Sequence, residues 1–168
     1  MSQFDTLEFA EVDVPRILAA QMSGAVGPNP VAIAGAIRSA FDELTGFVRQ
    51  HKLSPSGPPR VIYTAHGPQG VRFTVAMPIP APPVATRMIG PCFVKPIPAA
   101  RAMRFTHHGP YAELSKTYAL ITEFLKAKGL IKTDADWARY MPMWEEFLND
   151  PQTTPPEKLV THIYLPVV

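Results

Sequence analysis

The chain repeats itself, in the same order along both halves. The run Phe41-Asp42-Glu43-Leu44-Thr45-Gly46-Phe47-Val48, closing at Leu53, reads onto Tyr118-Ala119-Leu120-Ile121-Thr122-Glu123-Phe124-Leu125, closing at Leu130. Met77-Pro78-Ile79 reads onto Leu165-Pro166-Val167, Val14-Pro15 onto Ile97-Pro98, and Gly27-Pro28 onto Gly109-Pro110. Such a chain folds as two like units, here residues 1–80 and 88–168 of one domain over 1–168, joined by the proline-rich stretch 78–83. Two like halves leave a groove between them, a natural seat for a ligand.

The bulk properties narrow what that groove serves. The 168 residues are 46% apolar and 18% charged, enough for one packed domain. A net charge of +2 without a basic run does not suggest a nucleic-acid binder. No apolar stretch is long enough to span a bilayer, and no secretory signal is visible, so the expected setting is cytoplasmic. Cys92 is the single cysteine, which rules out an internal disulfide and a cysteine-built zinc site.

Each unit reads as strand, helix, strand, strand. In the first, Leu7–Val12 and Arg16–Met22 read as strand. Asn29 caps a helix with Pro30 at its first position, and Ile33, Ile37, Phe41, Leu44 and Val48 make one helical stripe. Arg60–His66 and Gly70–Met77 form a hairpin over a turn-rich link. In the second, Ala100–Thr106 is a strand and Leu114, Tyr118, Ile121 and Leu125 a helical stripe stopped at Gly129. Tyr140–Leu148 and Leu159–Leu165 close the unit. The 20 prolines belong to turns and strand ends, including the stretch Pro91–Pro98.

These units predict an α+β fold: one shared antiparallel sheet, both helices on one face, and the ligand groove on the other. Alternation sends Leu159, Thr161, Ile163 and Leu165 toward the helices, and Val160, His162 and Tyr164 to the bare face. In the matching strand Val71, Phe73, Val75 and Met77 go inward and Thr74 goes outward, equivalent to His162. The strand 140–148 is ambiguous: either Met141, Met143, Glu145 and Phe147 face the groove, or Tyr140, Pro142, Trp144 and Glu146 do.

The strings His107-His108-Gly109-Pro110-Tyr111, Trp144-Glu145-Glu146-Phe147-Leu148-Asn149-Asp150-Pro151 and Thr154-Pro155-Pro156-Glu157-Lys158-Leu159, running on to Thr161-His162-Ile163-Tyr164-Leu165-Pro166, resemble the GyrI-like family. These are the effector-binding domains found alone or fused to bacterial transcription regulators. The resemblance implies an aromatic-lined groove that holds acidic residues and takes hydrophobic or cationic drugs. Some stand-alone relatives are similar to hydrolases of cyclopropane-bearing compounds that use groove glutamates. Glu145 matches the family's glutamate, with Phe147 in place of the usual tyrosine, which favours Met143, Glu145 and Phe147 on the groove. The chain departs from the family pattern at His162, where a glutamate is common, and at Thr74.

The resulting expectation is a stand-alone module that binds a small hydrophobic or cationic molecule for sensing or sequestration. Its candidate ligand-binding residues are Tyr63, Thr74, Tyr111, Trp137, Met143, Trp144, Glu145, Phe147 and His162, with Glu145 opposite His162. The alternative is a hydrolase of reactive cyclopropanoid-type compounds with Glu145 as general base. No cofactor and no metal are expected, because adjacent His107 and His108 point apart and lack a third ligand. No direct DNA binding is expected, and the chain is read as a monomer or homodimer.

Overall fold

The computed structural model describes residues 6–80 and 90–167. Eight strands run in chain order as β1 (Glu8–Val14), β2 (Ile17–Val26), β3 (Arg60–Gly67), β4 (Gly70–Ile79), β5 (Cys92–Ile97), β6 (Ala100–His108), β7 (Met143–Phe147) and β8 (Val160–Pro166). Helix α1 (Pro30–Gln50) lies between β2 and β3, and α2 (Leu114–Ala127) between β6 and β7. Every strand pairing is antiparallel, and one sheet results, ordered β1-β6-β8-β7-β3-β4-β2-β5. The order is a palindrome if β2-α1-β3-β4 is matched with β6-α2-β7-β8. The centre of the palindrome falls between β3 and β7, where Val61 pairs directly with Glu145. β1 and β5 each pair across to the strand that opens the opposite half, at the two sheet edges.

Local chemistry explains the helices. The Asn29 side chain accepts from the Val31 and Ala32 amides at 2.9 and 3.1 Å, and Pro30 needs no amide partner there. Ala40, Leu44, Phe47 and Val48 then bury one stripe of α1 against Val61, Val71, Phe73 and Val75. In α2, Ile121 and Leu125 pack on Met103, Phe105, Ile163 and Leu165. Gly129, at a φ of +71°, ends that helix, and the Leu130 amide returns to the Leu125 carbonyl at 2.9 Å. Val61, Glu145 and Ile163 are partners across β3, β7 and β8, so they share one sheet face, and both helices sit on it.

Three expectations are revised. Residues 92–97 form a strand within the stretch assigned to turns; β5 is an edge strand, where Pro96 removes no interior ladder bond. The strand expected over 140–148 is only Met143–Phe147, because Asp134–Tyr140 winds into a 3-10 helix capped by Thr133 and Asp136. The proline-rich joint lies partly outside the described residues; within them, Pro78 is inside β4, and its carbonyl accepts from the Ser56 amide.

Candidate functional site

α1 packs over β2, β4 and β5 and α2 over β6, so the central strands β3 and β7 run beneath the space between the helices. Glu145 rises from β7 into that space and is 4% exposed. The Tyr63 hydroxyl, from β3, donates to Glu145 Oε1 at 2.8 Å. The Tyr118 hydroxyl, from the inner side of α2, lies near the same carboxylate and favours its charged form. Around this centre Phe147 meets Tyr111 edge-on at 5.4 Å and Phe41 of α1 at 6.2 Å, while Trp137 lies 6.2 Å from Tyr118. Met143, one alternation before Glu145, is buried beside it in the α2 core.

The electrostatics follow from that enclosure. Burial raises the Glu145 carboxyl above the ordinary carboxylate range, and the hydrogen bond from Tyr63 and the nearby Tyr118 hydroxyl pull it partly back. Burial raises both of those phenols, and the nearby carboxylate adds to it, so they stay protonated donors. Tyr111 is raised too, by burial and by the charges of Asp150 and Glu145. An acid beside two phenols among aromatic faces has lost most of its water. It favours either a proton or a cation soft enough to leave water itself.

The structure divides the candidate residues. Tyr63, Tyr111, Trp137, Met143, Glu145 and Phe147 belong to the helix-covered face. Thr74, Trp144 and His162 belong to the other. Thr74 there bonds Ser23 at 2.8 Å, and Trp144 stacks on Tyr164 at 5.1 Å. The expected meeting of Glu145 with His162 does not occur. Glu145 lies opposite Ile163 and Glu146 lies opposite His162, so the two neighbouring glutamates point to different faces. His162 is instead 3.6 Å from Glu146. The expectation that the face bare of helices carries the acid is therefore corrected: Glu145 lies on the helix side.

Tyr118 and Phe41 complete the enclosure, although the sequence offered them only as members of helical stripes. The signal for Tyr118 is a phenol, which needs a polar partner, on the inward side of an otherwise apolar helix face. His107 and His108 serve local structure. His107 bonds Thr117 at 2.6 Å and the Pro110 carbonyl at 3.1 Å, tying β6 to the start of α2, and His108 reaches Glu8 at 2.8 Å. A shallow depression at the β3–β4 hairpin, with His66, Gln69 and Arg72 in its wall, includes none of the residues around Glu145.

Comparison with known proteins agrees with this architecture. The model of the GyrI-like small molecule binding domain matches residues 10–168. No curated protein matches the sequence. Among solved structures, the isolated EcmrR C-terminal domain superposes with a TM-score of 0.69 at 15% identity, covering 96% of this chain and 98% of that one. EcmrR in a complex with DNA gives a TM-score of 0.74 at 14% identity over 95% of this chain, which spans only 57% of that longer chain. SAV2435 bound to tetraphenylphosphonium gives 0.63 at 12% identity, covering 96% of this chain and 94% of that one. A hydrolase from Listeria innocua gives 0.56 at 15% identity, covering 96% and 92%. These likenesses establish the fold, and the family match covers nearly the whole chain. The protein belongs to the GyrI-like family of small-molecule-binding domains.

Proposed function

We propose that the protein binds a lipophilic cation in the space between α1 and α2, with Glu145 as the counter-charge and Tyr63, Tyr111, Tyr118, Trp137 and Phe147 as the aromatic lining. The observation that carries this reading is the Glu145 carboxylate, 4% exposed, hydrogen-bonded by Tyr63 with Tyr118 beside it, and without a bonded basic side chain among the described residues. A delocalised organic cation suits that site better than a metal ion or an ammonium, because it gives up little hydration on entry and gains contact with aromatic faces. SAV2435, which shares the fold, carries tetraphenylphosphonium, a ligand of this chemical class. The role we assign is sensing or sequestration by a cytoplasmic module, monomer or homodimer, that makes no direct contact with DNA. The palindromic strand order supports reading residues 1–80 and 88–168 as two copies of one unit.

A thermal-shift screen tests this. Lipophilic cations should stabilise the protein, while neutral molecules of the same shape should stabilise it less. Equal stabilisation by both would remove Glu145 from the recognition.

A second reading rests on the raised value of the same carboxyl. A glutamate displaced toward neutrality, beside two phenols that can orient water or a leaving group, suits general-base hydrolysis. The fold is shared with a protein described as a hydrolase. Turnover of a cyclopropanoid electrophile that disappears in Glu145→Gln would support this reading. Turnover that persists in that variant would exclude Glu145 as the base.

A further inference from the structure

The two helices begin by different means. α1 caps itself: the Asn29 side chain accepts from two of its first amides. At α2 no side chain caps the helix or the 3-10 turn Tyr111–Glu113 that leads into it. Unpaired amides leave a first turn open to fraying unless something else holds it. Here that stretch carries Tyr111 and Tyr118, two of the aromatic residues around Glu145.

His107, near the end of β6, supplies the hold. It is buried, and both ring nitrogens are engaged. The Pro110 carbonyl can only accept, so Nε2 donates to it at 3.1 Å. In the neutral ring Nδ1 then accepts from the Thr117 hydroxyl at 2.6 Å. The same Pro110 carbonyl accepts from the Glu113 amide at 3.0 Å and closes the turn. Gly109, at a φ of +117°, gives its amide to the Leu159 carbonyl at 2.8 Å and fixes where the chain leaves the sheet. Each partner of His107 comes directly before a tyrosine: Pro110 before Tyr111, and Thr117 before Tyr118. Successive side chains on a helix stand about 100° apart. Holding Thr117 to β6 therefore sets the rotation of α2 and turns Tyr118 toward Glu145 on β7. His107, Thr161 and Phe147 are register partners across β6, β8 and β7, so His107 stands in one row with the ring that Tyr111 meets edge-on.

We infer that His107 is a positioning residue of the cation site: it holds Tyr111 and Tyr118 in place around Glu145 without touching the ligand. The inference rests on the reading of that space as the ligand site and adds to it the residue that shapes one wall. Tyr63 and Phe147 stand on strands, and Phe41 on a self-capped helix, so they need no such hold. The wall built by residues 109–118 does. Once loosened, it lowers affinity, because binding must then also order its rings.

Two readouts on the full-length protein test this: the 13C titration of the Glu145 carboxyl without ligand, and calorimetric affinity for tetraphenylphosphonium. Both are taken at a temperature where circular dichroism shows the variant folded. His107→Ala releases both links. It should move the Glu145 midpoint upward, because a loosened Tyr118 favours the charged form less. It should also weaken tetraphenylphosphonium about tenfold, in the range of one cation–aromatic contact. Thr117→Val removes a single hydroxyl at nearly constant shape and should move the Glu145 midpoint the same way. His107→Asn keeps an acceptor at the depth of Nδ1 and should bring the midpoint back toward wild type. His107→Gln keeps only the donor at the depth of Nε2 and should not. A role in stability alone would lower the melting temperature and leave the midpoint, and the difference between Asn and Gln, flat. An unchanged midpoint in Thr117→Val overturns the inference, whether or not His107→Ala folds. So does a folded His107→Ala that binds tetraphenylphosphonium as wild type does. If wild type itself does not bind that cation, the cation reading fails, and the Glu145 midpoints alone decide whether His107 positions Tyr118.

Discussion

The Tyr63 hydroxyl donates to Glu145 Oε1 across 2.8 Å, from one central strand to the next, at the midline of an eight-stranded sheet. The Tyr118 hydroxyl lies near the same carboxylate, from α2 above. One acid thus meets phenols from a strand of the first half and a helix of the second, with aromatic rings excluding water around it.

The raised Glu145 carboxyl has a definite sign in stability. Because the folded state favours its protonated form, its contribution is complete below the ordinary value, which the unfolded chain keeps at about 4.3, and is lost as pH rises through the raised folded value. His162, lowered by burial and by Arg104, acts oppositely: its contribution is present above its ordinary 6.5 and is lost as pH falls through its folded value. Comparing melting temperature against pH for wild type and Glu145→Gln separates the two. The variant should lose the decline on the alkaline side and melt no lower than wild type at neutral pH.

Removing the Tyr63 hydroxyl should have the reverse effect. Tyr63→Phe deprives a buried carboxylate of a charge-assisted donor worth about 1.5–3 kcal/mol. Carboxyl 13C titration should find Glu145 shifted further upward. Denaturant unfolding at neutral pH should show a loss that shrinks as the acid is protonated.

Substituting His162 should leave cation binding within about twofold, far less than the tenfold that 1.4 kcal/mol represents. His162 lies on the other side of the sheet, beside Glu146 and Tyr164. A large loss of affinity for a lipophilic cation in His162→Ala would mean that the ligand occupies the bare face.

The core supporting α1 should respond independently of the site. Leu44 is completely buried among Val61, Phe73 and Val75. Leu44→Ala should cost about 2–5 kcal/mol in unfolding free energy, with the spread set by how far the cavity collapses.

Much of this arrangement was legible from the residues. Asn29-Pro30 and the stripe that follows announced α1, and the apolar set Ile163, Leu165 against His162, Tyr164 sorted β8 correctly. β5 was hidden because its proline argued against a strand, and nothing local told that it would sit at an edge. The face of β7 was hidden for a different reason. Met143-Trp144-Glu145-Glu146-Phe147 has large apolar residues and an acid in both alternating sets, so periodicity does not rank them. Only the pairing of Glu145 with Val61 and Ile163, residues distant in sequence, decides that it is Glu145 that goes under the helices. Tyr118 was missed for the same reason, since its partner lies on a strand 27 positions away.

The central claim is that Glu145, as a carboxylate, is the counter-charge for a cation. Ligand binding should then release a proton at any pH low enough for Glu145 to hold one in the empty site. Isothermal titration with tetraphenylphosphonium across a pH series measures this directly. Wild type should bind more tightly as pH rises through the raised Glu145 value, with proton release visible as a dependence on buffer ionisation enthalpy. Glu145→Gln should bind at least about tenfold more weakly, by the 1.4 kcal/mol or more that a lost charge partner costs, and with no pH dependence. Equal affinity for the two proteins at every pH would contradict the account.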